Sequence, residues 1–338
     1  MAMWVSRTPL RVSFFGGGTD YPSYFRDMPG AVLGTTIDRY VYIQALPLAL
    51  FAEQRFRLSY RQTESVDSVR DITHPVVRTC LGHYKWESPL NIATMSDLPG
   101  GTGLGSSSAF TVGLINLLHK MRGVSLTKFE LAREAIFVEQ QLLRENVGIQ
   151  DQVHAAFGGL ARYEFQGEEF AIHPLRICRS RYALLSRSMV LAYTGRARHA
   201  SSILDQQESR TRSGANAGYL STLYRMTRDA VEILERDGDD DMALRDFGAL
   251  LDEAWQVKQR LSCVISGDAT GQLYAEGKAI GAWGGKLLGA GGGGFMLFLV
   301  HPDHHRTFME RFRAAQLSIV GIEDEGSISG SLRPRIDQ

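Results

Sequence analysis

Glycine is concentrated in this chain in a way that few folds can use. Three glycines stand at Gly16–Gly18, four at Gly100, Gly101, Gly103 and Gly105, and eight between Gly281 and Gly294, so three short segments hold fifteen of the thirty-five. Clustered glycine means backbone held at positive φ, or backbone brought very close to something else. The rest of the 338 residues is of ordinary globular make-up, 44% hydrophobic and 22% charged, which excludes disorder and low complexity. The length suits two domains, each with its own core.

Charge narrows the partners. The 37 basic and 37 acidic residues cancel, which argues against a nucleic-acid or membrane-surface binder, because both need a basic surplus. Cys80, Cys178 and Cys263 have no paired spacing and read as small buried residues of a reducing compartment. No apolar run approaches the ~20 residues that span a bilayer, and the N-terminus lacks a signal sequence. The expectation is a cytoplasmic protein, monomer or homodimer. Arginine outnumbers lysine 31 to 6, a bias that either genome composition or phosphorylated ligands would explain.

The first ninety-five residues read mostly as strands, with Leu10, Val12 and Phe14 on one apolar face. A helix runs from Ser106 to Gly123, and a second, opened by the Thr127–Glu130 capping box, runs to about Glu145. A short helix begins at Ile149 and stops at Gly158–Gly159. Polar, Arg-rich sequence over 165–188 marks a boundary and divides the chain into domains of residues 1–180 and 181–338. The second half reads as a strand at Met189, amphipathic helices between Ser201 and Ser262, a strand after Gly294 and a last helix from Thr307 to Gln316. The fold class is α+β.

Pro99-Gly-Gly-Thr-Gly-Leu-Gly-Ser-Ser-Ser108 joins a strand to a helix. Glycines there turn backbone N–H groups inward, and the helix N-terminus adds partial positive charge, which together make a phosphate site. Three hydroxyls, Ser106, Ser107 and Ser108, stand at its mouth. Ser106 occupies the place of a Walker lysine, and the glycine spacing is not that of a dinucleotide fingerprint. A flexible connector and a degenerate nucleophile elbow are the competing readings of the same segment.

Two acids lie further along the chain. Glu139 stands inside the apolar stripe Leu131, Ala135, Val138, Leu142, where a carboxylate must be paired, protonated or bound to metal; the bland alternative is a flanking residue that reaches solvent or an arginine. Asp151 falls in the first turn of its helix, which favours the ionised form, although plain capping would look the same.

Thr8-Pro-Leu-Arg-Val-Ser-Phe-Phe-Gly-Gly-Gly-Thr-Asp-Tyr21, Pro99–Ser108 and Lys286-Leu-Leu-Gly-Ala-Gly-Gly-Gly-Gly-Phe295 resemble, in register, the three motifs of the GHMP kinases. The resemblance implies a ribosomal-S5-like N-terminal domain and a ferredoxin-like C-terminal domain, with ATP and substrate between them. It implies that Gly100, Gly101, Thr102, Gly103, Leu104, Gly105, Ser106, Ser107 and Ser108 hold the nucleotide. Ser107 or Ser108 with Glu139 would hold Mg²⁺, Asp151 would be the catalytic aspartate and Arg11 the basic residue beside it. Gly17, Gly18, Thr19 and Asp20 would contact a sugar, and Gly291, Gly292 and Gly293 would close on the phosphate loop. Galactokinases carry Glu-His where this chain has Gly17-Gly18, which leaves room for a larger or phosphorylated sugar. Gly16-Gly-Gly-Thr-Asp20 together with Gly285–Gly294, and Tyr193–Arg198, are similar to the branch that phosphorylates D-glycero-D-manno-heptose 7-phosphate at its anomeric oxygen. For a substrate phosphate the candidates are Arg26, Arg39, Arg196 and Arg198. A fucokinase-like sugar 1-kinase and a catalytically silent ATP- or sugar-binding protein are the alternatives.

Overall fold

The computed structural model describes residues 2–49, 54–195, 209–261, 268–289, 291–312 and 315–332. Two sheets organise it. The larger has eight strands, in the order β12-β1-β2-β5-β3-β4, with β6 and β7 joined through β2. Strand β1 (Met3–Phe15) and strand β2 (Gly30–Pro47) form its centre. Strand β2 is long enough to serve two neighbours along one edge: its first half pairs with β6 (Leu160–Gln166), its second with β5 (Leu90–Ser96). The short strands β3 (Phe56–Ser59) and β4 (Thr63–Val66) extend the sheet past β5, and β7 (Glu169–Pro174) extends it past β6.

The smaller sheet, β11-β8-β10-β9, is wholly antiparallel. Its strands are β8 (Met189–Tyr193), β9 (Gly284–Leu287), β10 (Phe295–Leu299) and β11 (Gln316–Ile319). In chain order these lie fourth-first-third-second, the ferredoxin-like arrangement. Every residue of β9 and β10 is buried, as apolar and glycine-rich runs covered on both faces must be.

Helices form where the sequence signals are strong. Helix α3 (Ser106–Met121) is closed by a left-handed Gly123, and α4 (Lys128–Phe137) carries both halves of the expected capping box. Helix α5 (Gln150–Phe157) is short, and α1 (Pro22–Phe25) and α2 (Pro75–His83) lie in the stretch that reads as strand. Beyond α6 (Arg179–Ser188) come the long α7 (Ala217–Glu235) and α8 (Asp240–Gln259), then α9 (Asp268–Ile280) and α10 (His305–Arg311). The acidic segment before α8 is a turn, in which Asp239 caps the helix by accepting from the Met242 N–H. Cys80 is buried but Cys178 is exposed at the start of α6, and Cys263 lies outside the described residues.

Three departures have physical reasons. The helix carrying Glu139 does not continue to Glu145: from Val138 to Leu142 it widens into a π-turn. One extra residue in that turn rotates the chain beyond it, so Leu142, placed by periodicity on the apolar stripe, is 36% exposed. Helix α6 spans the boundary drawn at residue 180. The chain also returns across that boundary, since β12 (Ile328–Leu332) pairs with Met3–Arg7 at the edge of the larger sheet.

Candidate active site

Strand β1 carries the first component. Arg11 pairs in register with Thr36 of β2, and its own N–H donates 3.0 Å to the Leu104 carbonyl, which lays the glycine loop alongside the strand. Its guanidinium, 5% exposed, grips Asp151 with two bonds, Nε to Oδ1 at 2.7 Å and Nη2 to Oδ2 at 2.9 Å. The remaining nitrogen donates to the Gly103 carbonyl at 2.5 Å. A bidentate guanidinium–carboxylate pair fixes distance and plane together. Asp151 is thereby aimed from the first turn of α5 at the mouth of the loop.

The loop ends on Gly105, left-handed at φ 71°, and α3 begins at once with Ser106. The three serines therefore stand in the first turn of a sixteen-residue helix, beside its free N–H groups, and all three line the same cavity. The third glycine segment meets the loop as bare backbone. A Cβ on Gly103 would lie 2.4 Å from the Leu288 carbonyl oxygen, and the Phe295 N–H donates to the Thr102 carbonyl at 3.1 Å. No side chain other than hydrogen fits in that seam.

Glu139 comes from the π-turn and is 1% exposed. Its Oε2 accepts from the Ser108 hydroxyl at 2.9 Å and from the Gln152 amide. Its Oε1 is buried with no partner. Burial pushes the carboxyl up to about 7, against the opposing influence of the neighbouring Thr111, Ser108 and Gln152 side chains. Asp20, 1% exposed, accepts from the Gly18 N–H at 2.9 Å. Burial first, and the Asp151 charge second, raise its pKa, while the Gly18 bond works the other way.

These groups line one cavity of about 480 Å³. It gathers Arg11, Asp20, Glu139, Asp151, Gly17, Gly18, the three serines and Gly291 and Gly293. Other expected residues serve the frame instead. The Thr19 hydroxyl donates to the Gly16 and Ala31 carbonyls, and the Thr102 hydroxyl to Pro99. Leu104 is buried at 1%, and Gly292 is not among the lining residues. Arg26 and Arg39 do not line the cavity; Arg39 is held by Asp38, Ser318 and Ile319. Arg196 and Arg198 lie outside the described residues.

Known proteins resemble this chain in sequence and fold. The family described as GHMP kinases N terminal domain matches residues 72–159. A D-glycero-alpha-D-manno-heptose 7-phosphate kinase from Campylobacter jejuni is 30% identical over 325 residues, covering 92% of this chain and 93% of the relative. The chain belongs to the GHMP kinase family. Similar to it as well is a bifunctional fucokinase/GDP-fucose pyrophosphorylase of Arabidopsis thaliana, 25% identical over 86% of this chain and 29% of that protein. A crystal structure from Bacteroides thetaiotaomicron, described as a D-glycero-D-manno-heptose 1-phosphate kinase, superposes with a TM-score of 0.77 at 22% identity, covering 98% and 99% of the two chains. The fold is thus the GHMP kinase fold, and the protein is a phosphotransferase with an alcohol group as acceptor.

For a GHMP kinase the orphaned Glu139 oxygen is informative. A buried carboxyl with one empty oxygen beside a serine hydroxyl is a donor pair suited to a hard divalent cation. Among the described residues no group of three or more His, Cys, Asp or Glu side chains gathers around a metal position. Ser107, Ser108 and Glu139 would therefore hold Mg²⁺ only together with water and phosphate oxygens, as that ion prefers.

Among the lining residues without a role in the sequence reading are two buried lysines, Lys258 and Lys286. Lys258 is detectable there, because it continues the buried stripe Leu251, Ala254, Trp255 of α8, where a charge needs the same explanation as Glu139. Lys286 stands in a four-residue strand that is buried throughout, and no periodicity distinguishes it.

Proposed function

We propose that this protein is an ATP- and Mg²⁺-dependent sugar kinase that phosphorylates the anomeric hydroxyl of D-glycero-D-manno-heptose 7-phosphate, forming the 1,7-bisphosphate for nucleotide-activated heptose. The observation that carries the kinase chemistry is the convergence of Arg11–Asp151, Asp20, Ser108–Glu139 and the glycine loop on one cavity. The sugar rests on the likeness to the heptose 7-phosphate kinase and on Gly17-Gly18, which leave the acceptor side open.

Phosphoryl transfer asks the protein for position and charge more than for covalent chemistry. The glycine loop and the α3 N-terminus hold the nucleotide phosphates by backbone N–H groups. Ser107, Ser108 and Glu139 would hold Mg²⁺, which would supply neutralisation of phosphate charge. Asp20 accepts hydrogen bonds from acceptor hydroxyls. Asp151, fixed by Arg11, receives or orients the proton of the attacking hydroxyl, whose oxygen bonds to the γ-phosphorus as the bond to ADP breaks. Arg11 also balances the Asp151 charge, so the pair enters a nearly neutral site.

Release of ADP from ATP and Mg²⁺ tests this across heptose 7-phosphate, heptose 1-phosphate, unphosphorylated heptose and fucose. Turnover is expected with heptose 7-phosphate. Turnover of unphosphorylated heptose alone sinks the 7-phosphate assignment, and turnover of fucose alone favours the fucokinase-like reading that the plant relative suggests. Asp151→Asn should lower kcat by roughly 10²–10⁴ with ADP affinity little changed. Nucleotide binding without turnover of any acceptor would point to a silent binding protein.

A further inference from the structure

The phosphoryl-transfer scheme leaves two buried cations without work. Lys258 and Lys286 are 7% and 4% exposed, and both line the cavity. Among the described residues their partners are carbonyl oxygens only. Lys286 Nζ donates to Ser13 and Phe14 of β1 at 2.8 Å each, and Lys258 Nζ to Gly289 at 2.5 Å and Leu287 at 3.5 Å. An ammonium has three N–H bonds, so each keeps one donor unused. Beside them the Ser13 hydroxyl is buried without a partner, 3.8 Å from where a Gly17 Cβ would stand.

The charge around them is unbalanced. Arg11 and the two lysines repel one another, and the attraction that reaches Lys258 comes from Asp20. Asp151 is already engaged by Arg11. Buried cations without carboxylate partners are expensive unless something anionic completes the site. The nucleotide has its own cradle in the loop and α3. Lys286, by contrast, is anchored to the strand end that runs into Gly16–Gly18, the segment that also carries Asp20, while Lys258 is tied to Leu287 and Gly289 of the third glycine segment and feels the Asp20 charge.

We propose that Lys258 and Lys286, with the Ser13 hydroxyl, form the subsite for the acceptor's own phosphate, the one that is not transferred. This rests on the reading of the acceptor as a phosphosugar, and it moves the phosphate-binding role from the arginines expected by sequence to two lysines at the seam between the sheets.

Calorimetry on nucleotide-free protein, with heptose 7-phosphate and with inorganic phosphate as probes, tests it alongside steady-state kinetics. Lys258→Met and Lys286→Met should each weaken phosphosugar binding and raise its KM by about 10–100-fold, the range for a hydrogen bond to a charged group. The KM for ATP should stay within about twofold. A raised KM for ATP with acceptor affinity unchanged overturns the proposal, and so does unchanged acceptor affinity in both variants. Should the methionine variants not fold, the wild type decides: the chain has six lysines, and two of their side-chain NMR signals should shift with heptose 7-phosphate but not with heptose. No such difference refutes the subsite. If wild-type protein turns over only unphosphorylated sugars, the sugar assignment fails by itself. Inorganic phosphate bound by wild type and lost in both variants then still upholds the anion site, and absence of phosphate binding refutes it.

Discussion

Lys258 titrates within reach of ordinary working conditions. Burial, aided by the Arg11 charge and opposed by Asp20, lowers its pKa to about 8, and Lys286 beside it is itself held well below the ordinary lysine range by burial and by the Lys258 and Arg11 charges. The cationic form therefore predominates below that pH and the neutral amine above it. An acceptor phosphate held by Lys258 loses its partner as pH rises, so kcat/KM for the phosphosugar should fall above about pH 8. Lys258→Arg, which stays charged, should carry that fall to higher pH; pH profiles of both proteins check this. The same residue shows how far single positions are legible. Glu139 stands out in the sequence because a charge interrupts a stripe, and Lys258 of α8 interrupts one in the same way. What no stripe reports is the partner: that Glu139 meets Ser108 and Gln152 depends on two other elements.

Loops and helices differ in how much of their geometry the residue types dictate. The glycine loop is readable because only glycine meets its two demands, and these can be separated. Gly101 has φ +73° and open space around its Cβ position, whereas Gly103 has φ +86° and the Leu288 carbonyl 2.4 Å away. Gly101→Ala should cost about 1–2 kcal/mol of backbone strain. Gly103→Ala should cost more and also weaken ADP binding, because the loop must leave the third glycine segment to make room. Denaturant unfolding and ADP titration of the two variants compare them. The π-turn at 138–142 has no comparable signal. No residue type marks an extra residue in a helix, and the apolar periodicity up to Val138 extends smoothly through it, which puts Leu142 on the wrong face. The turn brings the chain around to Gly148, whose Cβ position lies 2.0 Å from Asp20 Oδ2, and so seats α5 against the first glycine segment.

At the level of the molecule, the larger sheet gives way to the smaller between β7 and β8, and the chain then returns to the larger sheet at its far end. Strand β12 has the weakly patterned sequence Ile328-Ser-Gly-Ser-Leu332 and pairs with the opposite end of the chain, a separation that local reading cannot bridge. Ser327 and Ser329 also bond to Asn116 of α3, and Ser327 to Thr8. A chain ended at Ser327 should melt several degrees lower, about 2–4 °C per kcal/mol lost in a protein of this size or slightly less. It should also self-associate through the bared β1 edge, which calorimetry and gel filtration would register. The seam between the two sheets points elsewhere. Where Gly103 meets Leu288 and Thr102 bonds Phe295, the contact itself is peptide against peptide, and the flanking Arg11 and Lys258 side chains only grip the Gly103 and Gly289 carbonyls. Such a joint is indifferent to most sequence drift. The two halves are free to diverge in what they recognise while the line along which they meet stays fixed.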